Sequence, residues 1–216
     1  MITSLPYLDR LDPARQEVFK QLAAFSNQFI LAGGTAMMLQ IGHRLSYDFD
    51  CFSEATLNHD AILRQAKRIF GSQIRPHIRT DEILSIKTLN NIEVTFVSHP
   101  FPILKKPVKT SSIPLFHLDD LAANKTHTIG RRPAWRDYVD LFFLLKWKLY
   151  NIGKLVKLAE QKFIGEFHDK LFLQQLTYYS DLEIVPTVFL KETYKTEEIK
   201  TFLEQQVEAY LKKVLS

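Results

Sequence analysis

Apolar positions along the chain switch repeatedly between a helical period and a period of two, and each switch predicts a change of element. From Asp12 to Ser26, Val18, Phe19, Leu22, Ala23 and Phe25 fall on one side of a helix. Phe29 to Ala32 follows as a short buried strand, and Thr35 to Ile41 as an apolar helix that Gly42 ends. A second strand carries DFDCFS. Asp60 to Phe70 returns to the helical period, with Ala61, Ile62, Ala66 and Ile69 inward and Arg64, Lys67 and Arg68 outward. Between Ile74 and Val97 the period becomes two, in the runs IRPHIRT, ILSIKTL and IEVTFV, and Asn90 and Asn91 supply a hairpin turn between the last two.

A connector follows in which Pro100, Pro102, Pro107 and Pro114 forbid a continuous helix. Beyond it the pattern is helical: Leu118 to Thr128, Pro133 to Tyr150, segments through Tyr179, and a last helix from Glu197 to Leu215. That helix aligns Ile199, Phe202, Leu203, Val207, Tyr210, Leu211 and Val214. The expectation is an α+β chain. Phe29 to Val97 should form a mixed, mainly antiparallel sheet with covering helices, and a C-terminal helical bundle should follow, with domains at residues 1–114 and 115–216.

Composition narrows the setting. The chain has 216 residues, 46% hydrophobic and 24% charged, enough for one large or two small globular domains. An excess of 28 basic over 24 acidic residues permits a polyanionic partner without requiring one. Cys51 is the single cysteine, so no intrachain disulfide forms and a reducing cytoplasm is the natural setting. No apolar run approaches the roughly 20 residues of a membrane span, and no signal-peptide pattern opens the chain. The expected location is cytoplasmic.

The candidate chemistry is concentrated in FILAGGTAMMLQIGHRLSYDFDCFS, Phe29 to Ser53. Gly33 and Gly34 stand where a strand turns into a helix, so their backbone N–H groups can approach an anion at the positive helix end. Asp48 and Asp50 are separated by one residue, which on a strand points both carboxylates to the same face at about 6.5–7 Å between Cα atoms. Such a pair can converge on one divalent ion or bridge two. Together the two features suit a nucleoside triphosphate with magnesium. His43, Arg44 and Ser46 occupy the loop between them. On the last strand Glu93 and Thr95 alternate with Val94 and Phe96. If that polar face meets Asp48 and Asp50, Glu93 or Thr95 completes the site, and otherwise it is the solvent face of an edge strand. In the helical half, Lys125 precedes Arg131 and Arg132, and Asp137 and Asp140 share a helical face beside an apolar run. As acids at a helix start, the two need no further role.

The order GGTA, then HRLSYDFDCFS, then a lone lysine in a helix, then RDYVDL, resembles the AbiEii/AbiGii nucleotidyltransferase toxin family. The glycine pair followed by D-x-D on a strand marks the wider DNA polymerase β-like nucleotidyltransferase superfamily, and the form HR-x-S-x-D-x-D-x-F narrows it to this branch. The resemblance spans Leu31 to about Leu145. It implies that Gly33, Gly34 and Thr35 contact the triphosphate with Ser46 beside them. It implies that Asp48 and Asp50 hold magnesium or manganese and activate the attacking hydroxyl, that Lys125 meets nucleotide phosphate, and that Asp137 and Asp140 are the acids of the last motif.

The superfamily commonly places a third carboxylate on a later strand. Here Thr95 falls at that position and Glu93 one strand repeat earlier: either Glu93 serves from a shifted register, which makes Asp48, Asp50 and Glu93 the metal ligands, or the second metal relies on Asp48 and Asp50 alone, or turnover is weak. The implied activity is transfer of a nucleoside monophosphate from an NTP to an acceptor hydroxyl, with RNA or tRNA as acceptor and a cognate antitoxin as partner in a type IV, abortive-infection system. An RNA acceptor predicts a positive surface drawing on Arg44, Arg131, Arg132 and Arg136. Two other readings stay open. One is a nucleotidyltransferase acting on a metabolite or antibiotic, and the other is a nucleotide-binding module without turnover.

Overall fold

Helix starts follow the capping chemistry of the sequence. In the computed structural model, which describes residues 4–215, α1 (Pro13–Gln21) begins where Asp12 accepts a hydrogen bond from the Arg15 N–H and Pro13 takes the first helical position. The helix expected to run to Ser26 tightens into a 3₁₀ turn over Leu22–Phe25. β1 (Ile30–Ala32) follows, then α2 (Gly33–Ile41), β2 (Phe49–Ser53), and α3 (His59–Phe70), which Asn58 caps by accepting from the Ala61 N–H. β3 (Pro76–Arg79), β4 (Ile83–Lys87) and β5 (Glu93–Ser98) complete one sheet. Asn91 turns the β4–β5 hairpin with φ +58°.

The strand order is β1-β2-β5-β4-β3. β2 and β5 run parallel, and the other three pairings are antiparallel. The sheet is therefore mixed and mainly antiparallel, as the alternation predicts. Paired residues put their side chains on one face, so Leu31, Cys51, Phe96 and Leu84 form one apolar row and Phe49, Val94 and Ile86 another. All seven are fully buried. Phe25 lies 4.9 Å from Phe96 and stacks on Phe70 at 6.1 Å, tying the 3₁₀ turn, the sheet and α3 into one core. Burying each such side chain contributes about 1.5–3 kcal/mol, and Phe96→Ala would remove about 3–5 kcal/mol. The outer edge of β1 is not left bare: the Leu31 N–H donates to Pro114 O at 2.8 Å, and the Phe116 N–H donates to Leu31 O at 2.9 Å.

The chain divides into two compact units, Met1–Leu118 and Asp119–Ser216. The second is helical: α4 (Leu118–Thr128), α5 (Trp135–Lys146), α6 (Ile152–Lys162), α7 (Asp169–Leu176) and α8 (Thr196–Leu215). α5 is buried on nearly every side, from Tyr138 through Leu145, as a helix apolar all round must be. α8 packs through Ile199, Leu203 and Val207. The stripe predicted for α8 stops short of its end, for Leu211 is 39% exposed and Val214 60%. Among the described residues no helix is long and apolar enough to cross a membrane.

Candidate active site

The strand-to-helix junction passes directly from Ala32 to Gly33. Gly33 takes φ +65°, a left-handed conformation that costs other residues about 1–2 kcal/mol, and α2 begins at that residue without a side-chain cap. Its first N–H groups therefore face outward from the positive end of the helix dipole. Ala32 pairs with Asp50 across the β1–β2 ladder, which brings a carboxylate to this turn. A methyl group built on Gly33 would lie 2.0 Å from Asp50 Oδ2, and one built on Gly34 would lie 2.8 Å from both Arg44 Nη2 and Ser46 Oγ. A side chain at either position would displace these groups, and at Gly33 it would also strain the left-handed backbone.

Gly33, Gly34, Ser46 and Asp50 thus converge in the first unit. Asp48 sits one residue ahead of β2 and is exposed, Phe49 is buried, and Asp50 is half-buried, which is the alternation expected of D-x-D. Thr35 holds the backbone there: it is fully buried, and its hydroxyl donates to Asp48 O at 2.5 Å. Its hydroxyl is spent on that carbonyl rather than presented to a ligand. The approach loop is pinned from the other side by Arg15, which donates to Tyr47 O at 3.0 Å and lies over the Tyr47 ring.

Arg44 corrects the expectation of an RNA-facing surface. It is 2% exposed, packed against Gly34, and donates to Leu45 O at 3.0 Å. A buried guanidinium beside the glycine turn adds fixed positive potential where an anion would dock. Sequence alone gave no signal of this, since a loop arginine is ordinarily solvated.

The polar face of the sheet continues from Asp50 to its β5 partner Thr95 and on to Ser85 of β4. Ser85 is fully buried; its hydroxyl donates to Glu93 Oε1 at 2.7 Å and lies 2.9 Å from Thr95 Oγ1. His77 Nε2 stands 3.1 Å from the same Glu93 oxygen. Glu93 is therefore turned toward Ser85 and His77, partners that sequence reading missed. Among the described residues no three His, Cys, Asp or Glu side chains form a metal-binding group. Asp48 and Asp50 alone still suit magnesium, which commonly takes one or two carboxylates and fills its octahedron with water and substrate phosphate.

The other predicted residues lie in the second unit. Lys125 on α4 is 6% exposed, and its ammonium is 2.6 Å from Asp137 and 2.6 Å from Asp140 on α5. Arg132 adds a two-pronged bond to Asp137, 2.8 Å from Nε to Oδ2 and 3.1 Å from Nη2 to Oδ1. Burial opposes the charged form of Asp137, but Lys125 and Arg132 outweigh it and hold the carboxyl below its ordinary range. The spacing of three between the two acids places both on Lys125. Arg131 donates to Glu166 O at 2.7 Å.

A family model described as nucleotidyl transferase AbiEii toxin, type IV TA system, matches residues 18–215. The chain belongs to that family, and it is a toxin nucleotidyltransferase. It is 28% identical over 213 residues to the uncharacterized protein aq_aa25 of Aquifex aeolicus (strain VF5), covering 94% of this chain and 98% of the relative. The fold is shared with JHP933 from Helicobacter pylori, at a TM-score of 0.58 and 19% identity over 99% of this chain and 94% of that one. A second H. pylori structure aligns with a TM-score of 0.58 at 18% identity, over 92% and 93% of the two chains.

Proposed function

We infer that the turn at Gly33 and Gly34, together with Asp48 and Asp50, carries magnesium-dependent transfer of a nucleoside monophosphate from an NTP to a hydroxyl of RNA, with tRNA the expected class, in the cytoplasm. The observation that supports this most directly is the seating of Asp50 Oδ2 against the Gly33 α-carbon. The open end of α2, suited to an anion, and a carboxylate suited to a metal then lie within one side chain of each other, which supports the reading.

In this reading the N–H groups that open α2 receive triphosphate oxygens, Ser46 adds a hydroxyl, and the Arg44 guanidinium offsets charge from behind. Asp48 and Asp50 would hold the divalent cation, which when bound neutralises phosphate charge and aligns entering and leaving oxygens. The acceptor oxygen forms a bond to the α-phosphorus as the bond to the β-phosphate bridge breaks. Pyrophosphate leaves, and the hydroxyl proton passes to a carboxylate or to water. The protein's part is positioning and charge compensation. Lys125 and Asp137 stay in the proposal as the phosphate partner and the acid that holds it. The family's antitoxin is the protein partner.

The test is incubation with each α-labelled NTP, total cellular RNA and magnesium, followed by gel analysis. Label entering RNA from one NTP, and absent with Asp50→Asn, is the expected result. Label in a low-molecular-weight product instead would assign a metabolite acceptor, and no incorporation from any NTP would overturn the reading.

A further inference from the structure

The first unit contains a cavity of about 630 Å³ at the end of the sheet away from Gly33 and Asp50. Its lining includes Ile30, where β1 begins, and Phe52 and Ser53, where β2 ends. The reaction derived above makes no use of it. The volume lies in the range of sites that hold a small molecule or cofactor, about 300–1,000 Å³.

Its walls are of two kinds. Phe52, His99 and Phe116 contribute rings: His99 lies 4.8 Å from Phe52, and Phe116 meets Phe52 edge-on at 6.1 Å. Asn27, Gln28 and Asn58 contribute side-chain amides, and Glu54 a carboxylate. Amides carry a donor and an acceptor side by side, the pattern that reads the edge of a heterocyclic base. A carboxylate accepts from an exocyclic amine. Asn58 spends its oxygen on capping α3, which leaves its NH₂ for the cavity. The exposed Lys105 and Lys106 lie in the chain between the lining residues Ile103 and Pro107, which puts two cationic residues on the segment that borders the cavity.

We propose that this cavity is a second nucleotide-binding site, which takes one nucleobase against the half-buried Phe52 ring with its phosphate toward Lys105 and Lys106. The shared chemistry is a nucleoside 5′-phosphate, whether free or as one residue of an RNA strand. If the strand is the source, the inference rests on the RNA-acceptor reading and locates a nucleotide of the acceptor at the other end of β1 and β2 from Asp50.

The test uses the full chain carrying Asp50→Asn, so that transfer does not consume the probe. A fluorescent oligoribonucleotide containing 4-thiouridine is titrated by anisotropy, with and without competing AMP, then cross-linked and mapped by mass spectrometry. Cross-links within residues 26–30 or 52–58 are expected. Adding Ala55→Trp, which puts an indole at an exposed lining position, should weaken binding about tenfold or more, the usual worth of a stacked base. Competition by AMP at the same peptides assigns free nucleotide, and resistance to AMP assigns an RNA strand. Unchanged affinity in both Ala55→Trp and Gln28→Ala, with cross-links elsewhere, would overturn the proposal. Wild-type chain that cross-links at this cavity yet transfers no label would leave the site standing and remove only the transfer reading.

Discussion

The carboxylate of Asp50 lies so close to the α-carbon of Gly33 that a methyl group there would sit 2.0 Å from Oδ2. Gly33→Ala therefore adds a collision to the strain of φ +65°, and the carboxylate must swing away from the turn. The conformational part alone costs about 1–2 kcal/mol, so the melting temperature should fall by about 3–8 °C. Transfer should fall much further, by a hundredfold or more, because displacing a reacting group by about 1 Å is that costly. Thermal melts paired with labelled-NTP incorporation measure both. Near-normal transfer in a destabilised Gly33→Ala protein would separate Asp50 from the chemistry.

Asp48→Asn and Asp50→Asn should lose activity without the loss of stability expected of Gly33→Ala. Both keep shape and remove charge. Each should reduce transfer by at least a hundredfold, since a cation's stabilisation of transition-state charge is worth several kcal/mol. The melting temperature should stay level or rise, because neutralising one of two neighbouring acids relieves their repulsion. Calorimetric titration with magnesium and NTP checks the cause. Unimpaired metal-dependent NTP binding in the double variant would count against the assignment.

Much of this architecture is legible from local pattern. The alternation of Val94 and Phe96 with Glu93 and Thr95 gives β5 its two faces, and the glycine pair marks where β1 turns into α2. What sequence does not convey is which distant polar groups meet. Arg44 reads as a surface cation and is buried against Gly34; Glu93 reads as a metal ligand and is turned to Ser85 and His77. The Thr35 hydroxyl supports the Asp48 carbonyl, thirteen positions away, a contact with no local signature. Each pairing is fixed by strand register and loop path, which local periodicity does not encode.

Lys125 carries a prediction that divides stability from activity. With two carboxylates at 2.6 Å in a buried setting, Lys125→Ala leaves Asp137 and Asp140 short of a counter-ion. The cost should be about 3–5 kcal/mol, against at most about 0.5 kcal/mol for a surface lysine. Asp137 binds protons more weakly in the folded state than in the unfolded one. Its contribution is therefore fully present above the ordinary value of 3.8 and is lost as pH falls through the lower folded value. Removing Lys125 raises that folded value, so acid unfolding should begin about one pH unit higher. Lys125→Arg keeps the charge and should keep most of the stability. If the ammonium also meets phosphate, the planar fork will restore only part of the transfer rate. Full stability with full activity in Lys125→Arg would confine the lysine to a structural part.

The pair Asp120 and Lys162 offers the complementary case, an ion pair that transfer is not expected to use. Both side chains are fully buried, 2.7 Å apart, and 42 positions apart in sequence. Lys162→Met alone should strand the Asp120 charge and cost about 3–5 kcal/mol, and Asp120→Leu alone should do the same to Lys162. The double variant should recover most of that loss, because two apolar side chains of similar volume satisfy a buried site about as well as a paired charge. Denaturant melts of the four proteins give the coupling energy. Labelled-NTP incorporation in the double variant should stay near wild type, since Asp120 lies on α4 and Lys162 ends α6 without entering the proposed reaction. Additive losses in the double variant would mean that neighbours other than the partner carry the stabilisation. Lost transfer in a stable double variant would make the pair a positioning device for Lys125, which shares α4 with Asp120.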